Sequence, residues 1–431
     1  MKTRFRIAAS LIAATATAIA LTGGALAHAH HSGGYGGHNP NGHRGHGTSG
    51  YGGYGEGPEP PHHGRHLKLV VSAAGEIGAP CTQKKPCKKI AEALALAKPG
   101  ATITVLAGEY PEEVIITERL NLIGVGTPTI KAVGLHNGVR FEGPATAGSL
   151  LENFTVKGAN FEGVLAASTS GVSIVHNEVR ENDRGNKLPT PEGECAPEGA
   201  VPGDCGEGIH LLGTSHSRVI ENLVIGNAGG ILLTDETGPT AHNLIAHNAA
   251  IANIEDCGIT LAGHSPDAVS SMGKPQPAKA GIYDNKIVDN ISNQNGLIGG
   301  HGAGILLASP LPGGGVYDNL IRGNAANDNG LPGITVHSHA PGQDLNGNKF
   351  IANQVSLNGA VGNMGTPGDE DTKLRKTAGI EIASAVTKLE GIVVKHNTIS
   401  QQQVGIFTEN VPPIPLGANT FKEVEIPLEQ L

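Results

Sequence analysis

The chain has 431 residues, with 30 Lys and Arg against 39 Asp and Glu, a formal net charge of −9. Charged residues at 16% argue against a coiled coil, and the acidic balance argues against a nucleic-acid binder. Aromatics at 3% are too sparse for stacking on sugars, whereas 64 Gly alongside abundant Val, Ile and Asn predict short strands joined by tight turns.

Lys2, Arg4 and Arg6 precede an apolar run from Ile7 to Leu21, and Ala25-Leu26-Ala27 fits a small-residue cleavage site. Residues 1–27 therefore read as a secretory signal. The apolar run falls short of the ~20 residues a membrane span needs, and no later stretch approaches that length, so no span is expected after removal. Without the signal, 27 basic residues face 39 acidic ones, a net charge of −12. The expected partner is thus neutral or cationic, and the expected location is secreted, periplasmic or cell-surface.

Residues 28–66 form a linker whose 13 Gly and 9 His leave too little apolar surface to offset backbone ordering. Its imidazoles could hold a divalent metal loosely. Such a metal is the one cofactor the sequence suggests, with its ligands unassigned. In an exported chain the close pairs Cys81/Cys87 and Cys195/Cys205 are expected to form disulfides. Cys257 is left over as a buried thiol, and no pair has the C-x2-C spacing of a metal site.

An ordered domain is expected over 67–431. The stretch 87–98 puts Ile90, Leu94 and Ala97 at helical spacing and is stopped by Pro99-Gly100. Strands follow over 102–106, 113–116, 120–123 and 129–132. Beyond them a Gly-aliphatic pair recurs at Gly138, Gly163, Gly208, Gly230, Gly258, Gly304, Gly333, Gly379 and Gly405. The shorter spacings define a unit of 22 to 29 residues; the three of 45 or 46 are either one coil with an insertion or two coils. A second element, N-x-[IVL]-x-x-N, recurs from Asn177/Asn182 to Asn348/Asn353. Asparagine at a corner tolerates the left-handed conformation, and its amide can bond the next coil. The period is too short for a propeller blade and too poor in Leu for a leucine-rich repeat. It predicts an all-β, right-handed parallel β-helix solenoid, with the 87–98 helix capping its N-terminal end and residues 412–431 its other end.

From Lys68 to Val411 the chain resembles the secreted right-handed β-helix proteins of the pectin-lyase-like superfamily. The resemblance rests on C-x5-C-x2-I-A-E-A-L, on P-G-A-T-I-T-V-L-A-G-E-Y and on the Gly-Ile coils, a repeat shared with NosD-type periplasmic proteins. It implies a fold and leaves activity open. Of the polygalacturonase-like signatures only Gly300-His301-Gly302 is present, and the epimerase-like D-P-H is absent.

Stacked coils bring equivalent positions ~4.8 Å apart. If the aliphatic residue after each Gly points inward, the outward files from Gly208 on hold His210, Glu236, His264, His337 and His339, and no Arg or Lys on the strands. Glu236 and His264 fall on neighbouring coils, close enough to share a proton. Asp235 and Asp256 add carboxylates, and Glu207 and His301 lie near the same coils. Two carboxylates with histidines suit acid/base work on a sugar; they equally suit a His/carboxylate metal site. Insertions over 183–206, 263–279 and 362–377 would wall a groove.

These residues predict a protein that binds an extended polysaccharide on its middle coils and hydrolyses it if it is an enzyme, hydrolysis being favoured over elimination or epimerisation. Glu236, Asp256, His264, His210 and Asp235 are the catalytic candidates, and Glu207, His301, His337 and His339 the binding ones. The alternative is a non-catalytic periplasmic or cell-wall scaffold, or a metal-binding module, resembling NosD-type proteins.

Overall fold

From Gly138 to Gly333 each Gly-aliphatic pair opens a strand, because only glycine lets adjacent coils approach closely enough there, while Gly379 and Gly405 lie inside longer strands. A Cβ on Gly230, for example, would lie 2.0 Å from the Gly258 carbonyl oxygen. The residue that follows turns inward. Ile209, Ile231, Ile259, Ile305, Ile334, Ile380 and Ile406 pair in that order, coil to coil, and none is more than 1% exposed. These contacts come from a computed structural model, in which the chain divides into two units, Met1–His63 and Gly64–Leu431. The described residues are 67–182, 206–297, 302–359, 375 and 377–431, all in the second unit.

The described part is a parallel β-helix with three main faces. The first sheet has eleven strands, beginning at Lys68–Glu76 and ending at Val393–Lys395. Short strands such as Thr155–Lys157, Glu178–Arg180 and Leu223–Ile225 stack as the second sheet. The third sheet stacks Val164–Ala167, Ile209–Leu212, Ile231–Thr234, Ile259–Ala262, Ile305–Ser309, Ile334–Ser338 and Ala378–Ser384. Thr398–Glu409 runs through both the second and third sheets, and Thr420–Gln430 pairs along it. In the stretch expected to close the C-terminal end, the chain thus adds one more rung. Val164 pairs directly with Ile209, Ile259 with Ile305 and Ile334 with Ile380. All three long spacings are therefore single coils carrying insertions.

The Asn pattern resolves into three ladders. One runs Asn177–Asn222–Asn248–Asn290–Asn324–Asn353–Asn397–Asn419, each Nδ2 donating to the next Oδ1 at 2.9–3.1 Å where that bond is made. Asn182 to Asn358 form the second and Asn243 to Asn348 the third. The left-handed residue is the one before the Asn, as at His176, His242, His247, Asp284 and Asp289, and not the Asn itself. The reason is that the Asn is buried, spending its amide on neighbouring coils, while the residue before it makes the turn at the surface.

The helix at the N-terminal end covers Ile90–Leu96, buries Ile90 and Ala93, and packs against the strands Lys68–Glu76, Ala101–Leu106 and Val114–Ile116. Its first free N–H groups, of Ile90 and Ala91, are met by the Glu112 carboxylate, and Glu92 reaches back to accept from Lys88 and Lys89 just before the helix. Cys81 and Cys87 form a disulfide. Cys195, Cys205, the signal and the His-rich linker lie outside the described residues. Cys257 is a buried free thiol whose pKa burial pushes well up.

Candidate functional site on the third sheet

The outward files stack as the Gly spacing requires. Leu165, His210, Leu232, Thr260, Leu306, Thr335 and Glu381 pair successively in one, and Leu212, Thr234, Ala262, Ala308, His337 and Ala383 in the next. Residues 183–205, 298–301 and 360–374, outside the described set, lead into its strands, and residues 263–281 lead out.

On the middle coils two groups of side chains are hydrogen-bonded, Glu162–His210–Thr234 and Glu236–His264. His210 Nδ1 lies 3.2 Å from Glu162 Oε1 and its Nε2 2.9 Å from Thr234 Oγ1. Two residues beyond Thr234, Glu236 Oε1 meets His264 Nδ1 at 2.6 Å. Neighbouring coils thus bring together Glu236, His264 and His210. His264 is almost wholly covered, while the Glu236 side chain keeps 23% of its surface and is the member that faces solvent. Burial pushes the Glu236 carboxyl up, but the bond and charge of His264, the Thr234 hydroxyl and the charge of His210 outweigh it and hold the pKa at about 2. At neutral pH this carboxylate is an acceptor.

Asp235 points the other way and is fully buried. Its Oδ1 accepts from the His264 and Ser265 backbone N–H groups at 2.7 and 3.0 Å, and its Oδ2 from Gly281 at 2.7 Å. One carboxylate thus ties both ends of the 263–281 insertion and places His264. Burial raises its pKa to about 6, against the pull of those three bonds. Glu207 and Asp256 gather at the corner that leads into the sheet, where a side chain on Gly229 would come within 3.0 Å of Glu207 Oε1 and 3.5 Å of Asp256 Cβ. Asp256 Oδ1 accepts from the Cys257 N–H. A four-residue strand, roughly 13 Å long, separates this pair from Glu236 and His264. That exceeds the 5–9.5 Å at which two carboxyls flank one glycosidic bond, so Asp256 does not pair with Glu236.

Further along the same face, Leu331, Pro332, Thr335, His337, His339, Arg375 and Glu381 line a cleft of about 270 Å³. Glu381, nearly buried, accepts from Thr335 Oγ1 at 2.6 Å and from Arg375 Nε, and Arg375 also reaches Glu409. The His337 and His339 rings meet edge to face at 5.0 Å, and His337 Nε2 is buried without a hydrogen-bond partner. Burial lowers both pKa values, aided for both by the Arg375 charge. His301 lies outside the described residues.

Sequence reasoning missed four members of this face. Starting the outward files at Gly208 left out Glu162, which precedes Gly163 as Glu207 precedes Gly208. It also left out Arg140, on the Gly138 coil and one strand short of His210 in the same file. Thr234 was visible in its file without a sign of its role. Arg375 comes from an insertion, so a strand-only tally of basic residues could not find the guanidinium it brings.

Residues 155–366 match the family model described as NosD, periplasmic copper-binding protein. Among solved structures, the catalytic domain of a GH87 alpha-1,3-glucanase in complex with tetrasaccharides aligns with 84% of this chain and 66% of its own, at 13% identity and a TM-score of 0.52. The A-module of the Azotobacter vinelandii mannuronan C-5 epimerase AlgE4 aligns with 78% and 91%, at 15% identity and a TM-score of 0.48. A search of curated proteins gives no match. The copper in the family's description is not fitted by the described residues. Among them no group of three or more His, Cys, Asp or Glu side chains is arranged to hold a metal ion, and the His337–His339 pair shares its cleft with a guanidinium. Among the described residues no helix is long and apolar enough to cross a membrane.

Proposed function

We propose that this chain, a right-handed parallel β-helix of the pectin-lyase-like superfamily, is an exported protein that binds an extended polysaccharide along its third sheet. The observation that carries the reading is Glu236. It is a partly exposed carboxylate held ionised by its bond to His264, in the turn just past the strand Ile231–Thr234. From there the files pass over small and apolar side chains, Thr260, Ala262, Leu306 and Ala308, to the cleft of His337 and His339. An ionised acceptor at one end and a cleft lined by two imidazoles at the other suit the hydroxyls of a long neutral ligand. The net negative charge fits such a ligand better than a polyanion.

If the bound glycan is also cleaved, Glu236 takes the base or nucleophile's part, since a carboxyl ionised down to pH 2 is no proton donor. The match to the NosD model over residues 155–366 favours a second reading, a non-catalytic periplasmic scaffold, for which the nine His of residues 28–66 are the candidate metal contacts. Incubation of the purified mature chain with a glycan panel, with product detection and a chelator control, separates the two. Saturable binding to one glycan supports the first reading. No binding to any glycan, with metal uptake that vanishes on deletion of 28–66, supports the second.

A further inference from the structure

Charge is spread unevenly along this acidic chain. Residues 67–98, the first strand and the capping helix, hold six Lys against two Glu, a net charge of +4. Residues 99–431 hold 19 basic against 35 acidic residues, a net charge of −16. Lys84, Lys85, Lys88 and Lys89 fall within six residues, and all four are exposed. The Cys81–Cys87 disulfide closes the loop that carries the first two, and Thr82 and Lys85 exchange backbone hydrogen bonds across it at 3.0 and 3.1 Å. Lys88 and Lys89 follow directly, at the start of the capping helix.

The carboxylates close by are engaged. Glu92 accepts from the Gly78 N–H at 2.7 Å and from the Lys88 and Lys89 N–H groups at 3.1 and 3.0 Å. Glu112 accepts from the Ile90 and Ala91 N–H groups, Glu109 pairs with Lys131 at 3.3 Å and Glu113 faces Arg140 at 3.9 Å. Glu76 is the other acid of the segment and offsets one lysine. The same Glu92 sets an apolar side chain beside the lysines. Through Gly78 it fixes the turn 76–79, which also donates from the Glu76 N–H to the Pro86 carbonyl, and in that turn Ile77 is 71% exposed. Leu96, at the far end of the helix, is exposed as well.

We propose that this N-terminal end of the solenoid is a docking surface for the headgroup layer of an anionic phospholipid bilayer. Lysines set beside an exposed aliphatic side chain suit that layer: the ammonium groups meet the phosphates while Ile77 enters the acyl boundary. A soluble polyanion would use the charge and leave Ile77 in water. Each lysine near an anionic surface strengthens partitioning about fivefold. With one of the four offset by Glu76, the cluster gives about a hundredfold. The surface is separate from the glycan reading, since Lys84 to Lys89 and Ile77 belong to neither of the outward files of the third sheet.

The test is co-sedimentation of the purified mature chain with two kinds of vesicle, phosphatidylcholine alone and two parts phosphatidylcholine to one of phosphatidylglycerol. The chain should sediment only with the anionic vesicles and be released at about 1 M salt, where charges are screened within ~3 Å. Replacing Lys84, Lys85, Lys88 and Lys89 together by Gln should lower the partition coefficient about a hundredfold. Ile77→Ser should lower it at least about threefold, with circular dichroism unchanged in both variants. Equal sedimentation with the two vesicles, or none with either, overturns the proposal. So does loss of binding in the lysine variant with none in Ile77→Ser, accompanied by equally tight binding of inorganic polyphosphate, which is the behaviour of a site for soluble phosphate polymers. If the fourfold variant does not fold, Lys84→Gln with Lys85→Gln makes the same cut. No glycan enters the measurement, so its failure is distinct from failure of the polysaccharide reading.

Discussion

Replacing Asn248 by alanine removes four hydrogen bonds at once. Its Oδ1 accepts the Asn222 backbone N–H at 3.0 Å and Asn222 Nδ2 at 2.9 Å. Its Nδ2 donates to the Val219 carbonyl at 2.8 Å and to Asn290 Oδ1 at 3.0 Å. Asn222 Nδ2 keeps other acceptors in Ile174 and Ile220, and Asn290 Oδ1 keeps the Asn248 N–H, but the Asn222 N–H is left buried with nothing to donate to. The orphaned buried donor costs ~1–3 kcal/mol and the three other lost bonds ~0.5–1.5 each, a loss of roughly 2.5–7.5 kcal/mol in all. Asn248→Asp sets a buried carboxylate oxygen against the Val219 carbonyl and Asn290 Oδ1, both acceptors, and should cost at least as much as alanine. Urea denaturation followed by circular dichroism reads the loss, and amide exchange at Asn222 locates it. A change under about 1 kcal/mol, with Asn222 exchange unaltered, would refute the ladder as a source of stability.

Asp235 predicts a pH dependence. Its folded pKa, about 6, lies above its ordinary 3.8, so between those values the folded state binds the extra proton. Stability should therefore fall as pH rises from about 4 to 6, by up to ~3 kcal/mol at 1.36 kcal/mol per unit, and Asp235→Asn should flatten that slope in denaturation curves. Glu236, depressed to about 2, works in the opposite sense: its contribution is present above pH 4.5 and is lost toward pH 2, a loss that Glu236→Gln should abolish. Arg375→Ala strands the nearly buried Glu381 carboxylate and should cost about 2–4 kcal/mol in thermal or chemical melts; Glu381→Gln in the same background should recover part of it. Reducing Cys81–Cys87, which spans six residues, should cost ~2 kcal/mol by loop entropy, and exchange rates should rise around Ile90–Leu96 before they rise in the middle coils.

The coils were legible because burial imposes them locally. The glycine must be small against the next coil and Ile must follow it, so the register of His210, Glu236 and His264 follows from counting residues. The Asn pairs were legible as ladders but not as three, since Asn222 stacks on Asn248 and not on Asn243, and spacing within one coil does not say which corner a residue occupies. Asp235 read as a candidate for chemistry because it adjoins Glu236. Only the path of the 263–281 insertion shows that its carboxylate is spent on three backbone groups. Arg375 was out of reach for the same reason, as insertions lie outside the repeat that sets every other position.

Isothermal titration of the glycan that binds the wild-type chain, repeated with Glu236→Gln and His337→Ala, tests the central claim most directly. The account predicts saturable wild-type binding weakened at least tenfold in each variant, with far-ultraviolet circular dichroism unchanged. Equal affinity in all three proteins would place the glycan elsewhere on the molecule and contradict it.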